Sequence, residues 1–377
     1  MTVWDSLVGQ RRVIETLQQA AAGQGMNHAW LFTGPPGSGR SNAAIAFAAA
    51  LQCESAGCGE CEACLTTLAG SHPDVTVRRT ERMIISVDSA RQWVRDSTLM
   101  PVRQRWQVIV VEDADRLHER ANNALLKAIE EPTPRTVWIL CAPQPDDVLP
   151  TIRSRTRHVS LATPRPEEVA EFLTERFDVS PTRAAHAARA SQGHIGRAKA
   201  LALDESTRGR RREVVQLPPR LTSLGACMTA AQNLFEVATA EATARSDESA
   251  AKESADLDTL YGTDRRARST RSAKAAAGEL AKEQKARFTR SVLDAVDRSL
   301  TELLSVYRDV LFVQTGAGGG LVNEEDRPAV EELARRTTAE STLHRIDAIY
   351  QARERMLEFN VPPLLALESM MVALRTD

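Results

Sequence analysis

Gly34-Pro-Pro-Gly-Ser-Gly-Arg-Ser41 has the spacing of a Walker A loop, G-x-x-x-x-G-K-[ST], except that Arg40 stands where the lysine belongs. Gly34, Gly37 and Gly39 let successive backbone N–H groups, that of Ser38 among them, point at a phosphate. The N-terminus of the helix that follows adds positive potential. Ser41 is placed to touch a metal ion. What the loop lacks is the compact ammonium that bridges the β and γ phosphates, and a planar guanidinium is not its equivalent. Two readings stand: a loop kept for its turn geometry without nucleotide, or a backbone cradle that still holds ATP or ADP with Mg2+.

A second candidate pair follows the apolar run Val108-Ile-Val-Val111. Hydrolases built on such loops carry Asp then Glu there, one helping to hold magnesium and the other polarising the attacking water. This chain reads Glu112-Asp113, in reversed order. The first carboxylate is one methylene too long and the second one too short. A misplacement of about 1 Å costs roughly 10²-fold in rate. Two defects in separate motifs argue against ordinary ATP hydrolysis.

Cys53, Cys58, Cys61 and Cys64 follow the spacing C-x4-C-x2-C-x2-C, with Gly57 and Gly59 between them. Four thiols in two close pairs can converge on a tetrahedral zinc ion, and four protein ligands leave no open position, which makes the site structural. A redox centre or an iron–sulfur cluster is the competing reading. Cys141 and Cys227 read as small buried hydrophobes.

The elements that must position these groups are legible as patterns. Trp30-Leu-Phe32 leads into the glycine loop, and the run at 108–111 and Val137-Trp-Ile-Leu140 read as buried strands. Short apolar runs separated by amphipathic helices indicate a parallel α/β sheet. Pro164 and Pro166 mark a break. A small helical unit follows over 167–205, with Val169, Phe172 and Leu173 on one stripe. From about 210 the periodicity is helical throughout, and Val292, Val296, Leu300, Leu303 and Tyr307 share one face.

Composition sets bounds on the whole. A chain of 377 residues suggests two or three domains, and a formal net charge of -2 argues against a generally basic nucleic-acid coat. Aromatics at 4% with abundant alanine suit a mainly helical protein. No apolar run reaches the ~20 residues that span a membrane, and the start, 1–10, has no secretory pattern. A cytosolic chain is expected, with cysteines as reduced thiols or metal ligands. The stretch 241–285 holds few large apolar residues (Leu257, Leu260, Tyr261, Leu280) and reads as an exposed helix or a disordered, solvated insertion. The competing reading gives Arg265, Arg266, Arg268 and Arg271 a DNA or partner contact.

These motifs resemble those of a known family. Trp4-Asp-Ser-Leu-Val-Gly-Gln10 is similar to the opening motif of clamp-loader ATPases of the AAA+ class, and Asn27-His-Ala-Trp-Leu-Phe-Thr-Gly34 to the segment entering their phosphate loop. A four-cysteine module after the loop helix, Asn122-Asn-Ala-Leu-Leu-Lys-Ala-Ile-Glu-Glu-Pro132, and Asn360 with Leu365-Ala-Leu-Glu-Ser-Met370 also resemble that family. So does Ser154-Arg155-Thr156, which corresponds to its Ser-Arg-Cys motif. Active gamma and tau members keep the loop lysine, the Asp-Glu pair and a nucleotide-sensing arginine. In Gln192-Gly-His-Ile-Gly-Arg197, Gly196 falls at that arginine's place, and Arg197, one position along a helix, points about 100° away. The departures resemble the delta-prime type.

The resemblance implies an AAA+ α/β domain with zinc module over 1–163, a small helical lid over 164–207 and an all-α collar over 208–377 that carries ring contacts. It implies a pentamer with gamma/tau and delta subunits, acting on a sliding clamp and primer-template DNA. It also implies that Arg155 enters a neighbour's ATP site as an arginine finger, while this chain hydrolyses little or nothing. Against that stand an active gamma/tau-type ATPase, which should show the lysine and the Asp-Glu pair, and a stand-alone zinc protein binding DNA, which leaves the ring-type motifs unexplained. For Arg155 the plainer reading is a surface contact, shared with Arg153 and Arg157.

Overall fold

The computed structural model describes residues 2–80, 84–103, 105–261 and 271–375. The chain forms two compact units, Met1–Leu203 and Asp204–Asp377.

The first unit is built on five strands: β1 (Ala29–Thr33), β2 (Val75–Arg78), β3 (Gln107–Val111), β4 (Thr136–Ala142) and β5 (Arg157–Ser160). They pair in parallel in the order β2-β3-β4-β1-β5. Parallel strands need crossovers, and helices supply them on both faces. These are α1 (Arg11–Ala21), α2 (Arg40–Gln52), α3 (Glu62–Leu68), α4 (Val87–Ser97), α5 (Glu119–Glu130) and the single turn α6 (Pro150–Arg153).

Residue alternation divides each strand between two cores. Val137, Ile139 and Cys141 of β4 join Trp30, Phe32, Val108 and Val110 beneath α1 and α2. Trp138, Leu140 and Ala142 join Leu31, Ile109 and Val111 beneath α4 and α5. Burial on both faces is why β1, β3 and β4 read as unbroken apolar runs. α2 is buried almost throughout, with Ala43, Ala44, Ala46, Ala48, Ala49 and Ala50 all at 0% exposure. Its small side chains bring the helix axis close to the sheet, and Phe47 fills the gap against Trp30 at a ring-centroid distance of 4.9 Å.

Three further helices, α7 (Pro166–Phe177), α8 (Pro181–Ser191) and α9 (Ile195–Leu203), pack on one another around Val169, Leu173, Ala184 and Ala198. The Gln10 side chain ties the opening segment to the strand leading into them. Its amide donates to the Ala162 carbonyl at 2.7 Å and accepts from the Ala162 N–H at 3.2 Å.

The second unit is all helical: α10 (Glu205–Val215), α11 (Leu224–Tyr261), α12 (Arg271–Thr315), α13 (Arg327–Arg336), α14 (Ala339–Leu357) and α15 (Pro363–Ala373). Val292, Val296, Leu300, Leu303 and Tyr307 are buried in its core. α11 and α12 run antiparallel, bridged by Arg298 to Glu241 at 2.6 Å and Arg287 to Glu253 at 2.6 Å. The described parts of 241–285 therefore lie on two long helices, while Arg265, Arg266 and Arg268 and the side chain of Arg271 fall outside what is described. A buried polar network crosses this core. Arg211 meets Glu302 at 3.1 Å and also Asn323, and the Asp309 carboxylate accepts the backbone N–H groups of Val322 and Asn323 at 3.0 and 2.7 Å. Each of these buried charges is paired or hydrogen-bonded, as charges removed from water must be. Among the described residues, no helix is long and apolar enough to cross a membrane.

Candidate functional site

The glycine loop joins β1 to α2 at the carboxyl edge of the sheet, and Glu112 and Asp113 leave the same edge at the end of β3. Gly34, Gly37, Ser38 and Gly39 form the turn, and Arg40 and Ser41 open α2. Arg40, Glu112 and Asp113 all lie near enough to Cys141 to act on it electrostatically. Burial pushes the Cys141 thiol up, with Arg40 opposing and the two carboxylates adding to the rise. The sheet thus brings together the groups singled out from sequence.

Their bonding is turned inward. Arg40 Nη1 donates to the carbonyl of Gly34 at 2.8 Å, so the guanidinium folds back across its own loop. The lid sits on that loop. Ile195 N–H, at the start of α9, donates to the Gly37 carbonyl at 3.2 Å. Gly37 has φ +83°, and a Cβ there would lie 2.1 Å from His194 Cγ. Only glycine allows both this backbone conformation and this approach. Ser38 is buried, and its hydroxyl has no hydrogen-bond partner among the described residues. Ser41 is half-buried on the first turn of α2.

The reversed acids are also engaged. Glu112, 8% exposed, receives a fork from Arg79, with Nε at 2.5 Å and Nη2 at 3.1 Å from its two oxygens. Two-point pairs of this kind are the stronger class of charged hydrogen bond. Asp113 lies 3.9 Å from Arg116. Gly196 is the second residue of α9, with Arg197 half-buried beside it. Arg79 and His194 were not visible from sequence as members of this site. Both come from segments remote in the chain; Arg79 belongs to no motif, and His194, though inside Gln192–Arg197, is not the position that motif marks.

The four cysteines form a separate centre. Cys53 ends α2, Cys61 caps α3 through its sulfur, and Cys64 lies within α3. All four sulfurs lie within 4.8 Å of one another. Cys53 Sγ is 3.6 Å from Cys58 Sγ and 3.8 Å from Cys61 Sγ. A tetrahedral ion with bonds of about 2.3 Å sets its sulfurs about 3.8 Å apart, so this group can hold a metal such as zinc. Backbone N–H groups already point at the sulfurs: Cys58 to Cys53 at 3.4 Å, Cys61 to Cys58 at 3.4 Å and Cys64 to Cys61 at 3.5 Å. Burial raises the Cys53 thiol, but N–H donation from Cys58, Gly57 and Ser55 outweighs it and brings the thiol down to about 6. Burial pushes Cys64 the other way. The opening residues brace the module. Val3 N–H donates to the Gly57 carbonyl at 3.1 Å and Trp4 Nε1 to the Ala56 carbonyl at 3.2 Å. Gly57 has φ +105°, and a Cβ there would meet Val3 at 2.6 Å.

Arg155 stands apart from both centres, between α6 and β5. Its side chain is 41% exposed and pairs with Glu130 at 2.7 Å. Arg153 pairs with Asp146, and Arg157 lies over the Trp30 ring, 4.8 Å from the centroid.

The first unit thus has a five-stranded parallel sheet with the glycine loop at its carboxyl edge, followed by helical elements. The family model described as "DNA polymerase III, delta subunit" matches residues 9–165, and "DNA polymerase III, delta subunit, C terminal" matches 284–376. DNA polymerase III subunit delta' of Pseudomonas aeruginosa is 38% identical over 165 residues, 42% of this chain and 50% of that protein. DNA polymerase III subunit gamma/tau of Mycobacterium tuberculosis is 34% identical over 157 residues, 40% of this chain and 27% of that protein. The matches thus span half or less of these two relatives. A solved DNA polymerase III gamma subunit-related protein from Thermotoga maritima is 16% identical, covering 96% of this chain and 98% of its own, with a TM-score of 0.40. Over residues 9–165 and 284–376 the chain thus matches the DNA polymerase III delta-subunit family, and over part of its length it is also similar to delta' and gamma/tau subunits.

Proposed function

We propose that the chain serves as a delta-prime-type subunit of a DNA polymerase III clamp loader. In this reading it joins gamma/tau and delta subunits in a hetero-pentamer that opens a sliding clamp and loads it onto primer-template DNA in the cytoplasm. It hydrolyses ATP poorly or not at all and lends Arg155 to the ATP site of a neighbour. The observation that carries the reading is the inward satisfaction of its own site. Arg40 is bonded to Gly34, the lid is seated on Gly37, and Glu112 is held by Arg79, while Arg155 stands at the surface. Among the described residues, Arg40 and Glu112 are thus already engaged within the chain, which supports a site poorly suited to phosphoryl transfer.

The cysteine centre is assigned a structural zinc. Its sulfurs are closed on four sides, so the metal supplies folding free energy rather than chemistry. The helical unit carries the partner contacts. Leu343, Tyr350 and Leu357 recur at every seventh position of α14, with exposures of 48%, 53% and 38%, and Leu365 and Val372 repeat the spacing on α15. A repeated apolar seam left open on a helix is suited to a partner helix.

The test is reconstitution with gamma/tau and delta subunits, clamp and primed DNA. Clamps are loaded only when this chain is present, and the purified chain alone turns over no ATP. Turnover by the chain alone, abolished by Arg40→Ala, would favour the active gamma/tau-type reading.

A further inference from the structure

The finger reading of Arg155 leaves open what aims it. We propose that Glu130 is the positioning residue for Arg155, an inference that rests on that reading. A guanidinium has five N–H donors in a rigid plane. Arg155 Nε lies 2.7 Å from Glu130 Oε1 in an ion pair. Nη1 donates to the Thr151 carbonyl at 2.8 Å and to Ser154 Oγ at 3.1 Å. Nη2 makes no hydrogen bond among the described residues. Two acceptors and the Glu130 carboxylate therefore hold the guanidinium, and the two N–H groups on Nη2 remain for phosphoryl oxygens.

Both ends of the pair stand on fixed backbone. Glu130 ends α5 directly after Ile129, which is 0% exposed, and Ile152, in the turn before Arg155, is also 0% exposed in the same core. α5 begins a few residues beyond Glu112 and Asp113, so one helix connects the chain's own acid turn to the arginine it presents outward. The neighbouring arginines lack this arrangement. Arg153 is tied to Asp146, and Arg157 is laid over Trp30 and bonded to the Gly25 carbonyl.

An arginine on a free side chain samples many rotamers, and only some reach a phosphate. Half-exposed ion pairs hold a side chain modestly, so loss of Glu130 should reduce the rate about twofold to fivefold rather than abolish it. The experiment uses a complex reconstituted with gamma/tau and delta subunits in which the ATP site bordering this chain is the only competent one. ATP turnover is measured with clamp and primed DNA, together with Tm and zinc content of the chain. Glu130→Ala should lower kcat within that range and leave KM for ATP, Tm and zinc unchanged. Glu130→Gln, which keeps a side-chain oxygen facing Nε, should recover part of the loss. Glu130→Ala should add nothing in an Arg155→Ala background. If Arg155→Ala lowers turnover and both Glu130 variants match the unmodified complex, Glu130 does not position the arginine. Faster turnover by Glu130→Ala would overturn the proposal in the other direction, making Glu130 a residue that withholds the finger. If Arg155→Ala itself has no effect, the finger reading fails first, and this proposal with it.

Discussion

At the scale of single residues, the nucleotide loop differs from a working one in where its charges are bonded. A lysine at position 40 would present an ammonium to the phosphates, whereas the arginine donates to Gly34 within the loop. Restoring the lysine alone should not restore hydrolysis, because Glu112 stays forked to Arg79 and Asp113 remains one methylene short. Phosphate release by purified Arg40→Lys should equal that of the unmodified chain, near background, and a turnover typical of ring ATPases would show the loop to be the sole defect. Gly37→Ala tests the seating of the lid. Its Cβ would meet the His194 ring at 2.1 Å, and its φ of +83° is strained for alanine. A loss of about 1–3 kcal/mol is expected in thermal or denaturant unfolding, and His194→Ala should cost less. An unchanged Tm for Gly37→Ala would show that the lid is not held there. Arg40, the reversed acids and Arg155 were legible because motif spacing marks them. Arg79 and His194 were not, because a tertiary contact between remote segments leaves no local pattern.

At the scale of elements, legibility followed burial. β1, β3 and β4 lie inside the sheet with both faces covered, and their apolar runs announce them. β2, Val75-Thr-Val-Arg78, and β5, Arg157-His-Val-Ser160, close the two edges; β2 alternates apolar with polar over four residues, and β5 has Val159 as its one apolar residue. Such short, mostly polar runs resemble loops, so neither strand stands out in the sequence. The tract at 241–285 read as solvated for a related reason. Its described parts extend α11 and α12, and polar pairs such as Glu253 with Arg287 replace large apolar contacts there. The cysteine module is the element whose order should depend on a ligand. Cys58→Ser or Cys61→Ser should release zinc, measured by elemental analysis, and lower Tm by about 5–15 °C. A purified chain without zinc, whose four thiols titrate freely, would remove the metal from the account.

At the scale of the whole molecule, the two units divide the work as the proposed function requires. The first carries the closed loop, the lid and Arg155, and the second carries the exposed seam of Leu343, Tyr350 and Leu357. Tyr350→Glu should leave the isolated chain folded, since the side chain is 53% exposed, and weaken assembly with gamma/tau and delta subunits about tenfold or more in sedimentation or light scattering. Unchanged assembly would move the partner contacts off α14. In the proposed function this chain completes a neighbour's ATP site while its own is closed. That reading is tested most directly by stimulated ATP turnover and clamp loading in complexes carrying unmodified chain, Arg155→Ala or Arg153→Ala. The account predicts equal assembly in all three, a loss in Arg155→Ala equal to the share of one active site, and little change in Arg153→Ala. Turnover and loading by the Arg155→Ala complex at the unmodified rate would contradict it.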